Sequence, residues 1–106
     1  MNGSFSVAGV LVDVHTQTQY PARVVVSGGK IQAIEPFTPA ADQSLPYILP
    51  GFIDSHVHIE SSMLVPAEFA RLAVVHGTVG TVSDPHEIAN VCGIEGVEFM
   101  IENGKT

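Results

Sequence analysis

Residues 47–58 read "YILPGFIDSHVH". An apolar, strand-like run ends there on two histidines, His56 and His58, one residue apart. In a strand, residues i and i+2 project to the same side. Two imidazoles at that spacing can therefore converge on one ion, and neutral imidazole is a favoured ligand for zinc, iron or manganese. The alternative is a pair of histidines on an exposed strand face. The largely apolar "PGFID" in front of them argues against it. Asp54 lies two residues before His56 and shares its side, which makes it a candidate group behind the ligands.

Working outward toward the C-terminus, Pro66 suits the first turn of a helix. "AEFARLAVVH" (67–76) carries helix formers, with Gly77 as the stop. "TVGTVS" (78–83) reads as the next short strand, and "DPHEIANVCG" (84–93) as a polar turn leaving it. "IEGVEFMIENG" (94–104) is a second helix with Val97, Met100 and Ile101 on one stripe. Strand, helix, strand, helix implies a parallel α/β layout. In such folds the loops leaving the C-terminal strand ends build the site. Both polar clusters, "HVHIESS" and "DPHE", fall at such ends.

Toward the N-terminus the rhythm changes. "VAGVLVDV" (7–14) and "ARVVVS" (22–27) are valine-rich strands, "HTQTQYP" (15–21) is a polar connection, and "SGGK" turns into the alternating "IQAIE" (31–35). A hairpin over 22–35 follows. Three prolines among small polar residues mark 36–47 as a linker or surface loop. The first half is thus a small β-rich unit.

The bulk numbers narrow the classes. A chain of 106 residues, 45% hydrophobic and 14% charged, predicts a folded domain with a real core. The formal charge is -7, with three of eleven acids in residues 1–50 and eight in 51–106. Such a surplus argues against nucleic acid or an anionic membrane as partner. No stretch approaches the ~18 apolar residues of a membrane span. The N-terminus lacks the basic region of a secretory signal. The single Cys92 excludes an intrachain disulfide framework and predicts a reducing, cytoplasmic setting. With no basic neighbour, Cys92 is expected to be a small buried side chain.

The remaining candidates each have two readings. Asp84, His86 and Glu87 can ligate, accept a proton or orient an imidazole. They can equally be turn chemistry and helix-start acids. Glu60, Ser61 and Ser62 either contact substrate or cap a helical turn. His76 belongs to a helix end, and His15 to a solvated turn.

Taken together, "PGFIDSHVHIESSM" and "HGTVGTVSDPHEIANVCG" closely resemble the start of the bacterial adenine deaminases, which are amidohydrolases. The H-x-H after "PGFID" marks the superfamily at large, whereas "HIESSM" and "DPHEIANV" are much more specific to adenine deaminases. The N-terminal strands look like the small β-domain that precedes the barrel in this superfamily. The resemblance implies a (β/α)8 barrel with an appended β-sandwich. Residues 1–49 would be part of that composite sandwich, and residues 50–106 the first two βα units of the barrel. It implies metal-dependent hydrolysis of the small molecule adenine to hypoxanthine and ammonia, with a divalent manganese, iron or zinc ion. His56 and His58 match the metal-binding pair. Asp84, His86 and Glu87 match the catalytic segment after the second strand, and Glu60 and Ser61 are the candidates for substrate contact.

A complete barrel needs roughly 250 residues. The chain is therefore expected to be an N-terminal piece of such an enzyme, inactive alone and prone to self-association through unfinished sheet edges. Two other readings stand beside this one. The first is another amidohydrolase, acting on a cyclic amide or an N-acetyl group. The second is a non-catalytic binding or assembly module.

Overall fold

Valine-rich runs favour strands because branched side chains pack well on a pleated surface. In the computed structural model, which describes residues 3–105, these runs become β1 (Phe5–Asp13), β2 (Thr18–Ser27) and β3 (Lys30–Pro36). The described residues divide into two units, one up to Pro50 and one from Gly51.

In the first unit β1, β2 and β3 form an antiparallel meander. A two-residue strand, β4 (Tyr47–Ile48), adds to β1 in parallel, so the order is β3-β2-β1-β4. Gly28 and Gly29 have φ of 59° and 73°. This is the left-handed pair that a two-residue hairpin turn requires, and it sets Ser27 opposite Lys30. The polar connection expected over 15–21 is shorter than that. β2 begins at Thr18, opposite Asp13. Backbone pairing governs here, and the polar side chains of Thr18 and Gln19 simply face water. Pro21 fits inside β2 for a similar reason. Its partner Val10 gives its own N–H to Pro46 on the β4 side. The missing Pro21 N–H therefore points away from β1, where β3 has already ended at Pro36 opposite Ala22.

The run at 47–58 is not one strand. It splits into β4 and β5 (Phe52–Val57), and the break falls at Leu49–Gly51. Pro50 has no N–H to offer a ladder, and the two halves belong to different units.

In the second unit β5 leads through a 3-10 turn (Glu60–Ser62) to α1 (Pro66–Val74), then β6 (Thr78–Ser83) and α2 (His86–Asn103). β5 and β6 are parallel, as a helical crossover between them demands. Pro66 takes the first helical position. The adjoining Ala67 N–H donates to Asn103 Oδ1 at 2.9 Å, which ties the start of α1 to the end of α2.

Three expectations change here. α2 starts at His86, so the turn is only Asp84–Pro85. Ile88, Ala89 and Val91 continue helically until Gly93, whose φ 64°, ψ −151° interrupts the helix. That conformation is essentially open to glycine alone. Cys92, on the last residue before the break, is exposed rather than buried. The expected core is also small. Ala22 and Val24 are buried in the first unit, Ile59 and Met100 in the second, and no large side chain among the described residues is fully buried. The apolar content instead lies on uncovered strand faces, where Phe52, Ile53, Val79 and Val82 are each 60–70% exposed. No helix among the described residues is long and apolar enough to cross a membrane.

Candidate metal centre

The two parallel strands end side by side. Beyond the last pairing of Val57 with Ser83, the Asp84 N–H still donates to the Val57 carbonyl at 3.2 Å. This bond sets Asp84 beside the residue that separates the two histidines. His56 Nε2 and His58 Nε2 lie 3.0 Å apart, and the rings meet edge to face with centroids 4.8 Å apart. Two nitrogens bound at about 2.05 Å to one tetrahedral ion would be about 3.3 Å apart, so this separation suits a shared ion.

The tautomers follow from the partners. His58 Nδ1 lies 2.9 Å from the Asp84 carbonyl oxygen. A carbonyl only accepts, so His58 donates from Nδ1 and, when neutral, keeps a lone pair on Nε2. A backbone carbonyl holding one ring nitrogen is the way metal-ligating histidines are commonly oriented, and the other, Nε2, faces His56 Nε2, from which it accepts a hydrogen bond. His86 Nδ1 donates to Asp84 Oδ2 at 3.1 Å, and its ring stacks edge-on to His58 at 4.8 Å. Asp84 thus orients two imidazoles, one through its backbone and one through its carboxylate.

His56, His58 and Asp84 each offer a ligand atom, and these atoms all lie within 4.8 Å of one another. Two imidazoles and a carboxylate are a donor set that zinc, iron and manganese accept. The group is open, with His56 and Asp84 exposed and His58 half-buried. Asp54 sits behind it, where its carboxylate accepts the His56 N–H at 3.1 Å. This bond lies within an irregular stretch of the β5–β6 register, between Asp54 and Val57.

The other candidates are nearby but differently engaged. The Ser61 hydroxyl donates to the Glu87 carboxylate, 2.6 and 2.8 Å from its two oxygens. Glu60 accepts the Ile88 N–H at 3.4 Å, and its second oxygen is buried without a partner. Ser62 donates to the Ile59 carbonyl and shapes the turn. His15 and His76 take no part in the cluster. Asp84's carbonyl is the contributor that reading side chains misses, because no residue type signals a backbone acceptor. A groove of about 590 Å³ runs between the helices and β6, but none of His56, His58, Asp84, His86 and Glu87 lines it.

Comparison with known proteins gives the family. Over 105 residues the chain is 60% identical to the adenine deaminase of Salinibacter ruber, covering 99% of this chain and 19% of that protein. It is 52% identical to the adenine deaminase of Borreliella burgdorferi over 101 residues, 95% of this chain and 18% of the relative. Against the adenine deaminase of a Sulfurovum species the identity is 60% over 94 residues, 89% of this chain and 17% of the relative. The chain therefore spans less than a fifth of the length of these curated relatives. Residues 47–105 match the model of the amidohydrolase family. That match takes in both strand ends and every residue of the cluster, and the chain belongs to the amidohydrolase family.

Proposed function

We propose that the chain is the N-terminal part of a metal-dependent adenine deaminase. Residues 1–49 would contribute to a composite β-sandwich domain, and residues 50–106 would be the first two βα units of a (β/α)8 barrel. One observation carries the reading. The ring nitrogens of His56 and His58 converge to 3.0 Å beside Asp84, in a chain 52–60% identical to proteins named adenine deaminase.

His56 and His58, with Asp84, would hold the ion. Manganese, iron or zinc, when bound, supplies Lewis acidity and brings the pKa of a water toward neutrality. Turning adenine and water into hypoxanthine and ammonia has a fixed proton balance. As oxygen adds at C6, one water proton ends on the exocyclic nitrogen, which departs as ammonia, and the other on ring N1 of hypoxanthine. Glu87 and Asp84 are the carboxylates assigned to that transfer. His86, with Nδ1–H held by Asp84, offers Nε2 as a further acid–base group. Ser61 and Glu60 contact Glu87 and the adjoining Ile88 N–H, which puts them beside the Glu87 acid–base group. For the chain taken alone, the exposed apolar strand faces support self-association.

A chimera tests the proposal. Residues 1–105 would replace the matching segment of the Salinibacter ruber enzyme, and ammonia release from adenine would be followed. The chimera should deaminate adenine, and His56→Ala/His58→Ala within it should lose activity by at least a hundredfold. A folded, metal-loaded chimera that leaves adenine untouched would refute the adenine reading.

A further inference from the structure

The segment bearing Glu87 follows its own course. Gly93 breaks α2 in a conformation that a residue with a side chain rarely adopts, so residues 86–92 are not aligned by the helix that follows. Something else must set them. The contacts at hand come from the 3-10 turn after β5, on the strand that carries the histidines. Ser61 donates to the Glu87 carboxylate. Glu60 accepts the Ile88 N–H, one of the donors at a helix start that has no intrahelical partner. Two adjacent residues of the turn thus grip two adjacent residues of α2, 26–28 positions away in sequence.

We propose that Glu60 and Ser61 are positioning residues, a clip that holds residues 86–92 against the histidine strand and aims the Glu87 carboxylate. They act on the chemistry through Glu87 and not by touching substrate. The Ser61 proton is committed to Glu87, and the Glu60 oxygen that bonds Ile88 is committed to the helix start. The clip is read from geometry alone, and only its consequence for metal rests on the metal-site reading above. A hydroxyl is what position 61 requires, so threonine should serve there and alanine should not.

The test uses the full 106-residue chain with two readouts: amide hydrogen exchange at residues 86–92, and the affinity and visible absorption spectrum of added Co²⁺. Ser61→Ala should speed exchange at Ile88 and its neighbours about tenfold, the scale of one lost hydrogen bond. It should also weaken Co²⁺ binding severalfold and change its spectrum. Ser61→Thr should restore both. Glu87→Ala should match Ser61→Ala, and the double variant should be no worse than Glu87→Ala alone. Unchanged exchange in Ser61→Ala, or effects of the two variants that simply add, would overturn the clip. Coupled exchange in a chain that binds no Co²⁺ would uphold the clip while removing the metal reading.

Discussion

β1 meets β2 from Phe5 opposite Val26 to Asp13 opposite Thr18 without a slip, whereas β5 meets β6 with shifts after Phe52 and after Asp54. The regular ladder carries none of the candidate chemistry. The irregular one carries His56 and leads straight into His58 and Asp84 at its end. The first unit has one shift too, between Val25 and Val26 on the β2–β3 side, but the β1–β2 ladder runs through unbroken. In the second, the His56 N–H leaves the ladder for the Asp54 carboxylate. Irregular pairing of this kind re-aims side chains, which is why it gathers near sites. The comparison teaches that regular pairing and candidate chemistry fall on different strands.

The largest effect that sharpens this contrast comes from Met100, one of the few buried side chains of the second unit. Met100→Ala should cost about 2–5 kcal/mol there, the usual range for a buried methionine. Exchange of the β5, β6 and helix amides should accelerate while the β1–β2 amides keep their protection. Equal loss in both units would show one cooperative body and break the comparison. The Ser61→Ala variant comes next, with its effect on amide exchange confined to residues 86–92.

The smallest effect belongs to the first unit. Asp13 has its pKa held below the usual carboxylate range, chiefly by the backbone N–H and hydroxyl of Thr16 and then by the His15 N–H. Its ionised form is thus favoured by folding. The stabilisation is present above the unfolded pKa and is lost as pH falls through the lower folded value, below about pH 4. Asp13→Asn should flatten this acid-side loss slightly in urea titrations of the first unit. A variant whose profile matches the parent would remove Asp13 from the account.

Much of this was readable in the residues. Valine runs, the Gly-Gly turn and the Pro66 helix start all follow local rules, and β1, β3, β6 and α1 lie within two residues of where those rules put them. Where local rules failed, the cause was a partner distant in sequence. Thr18–Tyr20 look like a loop, yet β1 recruits them. "DPHEIANV" looks like a turn because it opens on the polar Asp84-Pro85, but from His86 it is a short helix gripped from residues 60 and 61. Cys92 looks like core, but it lies exposed beside that break. At the site, the spacing of His56 and His58 was visible. The Asp84 carbonyl that orients His58 was not, because a backbone acceptor has no letter in the sequence.

The most direct test of the metal centre is the stoichiometry of divalent metal on the purified 106-residue chain, beside His56→Ala/His58→Ala. One ion per chain, absent from the double variant, is the predicted result. Equal metal in both proteins, or none in either, would contradict a centre built on these two histidines.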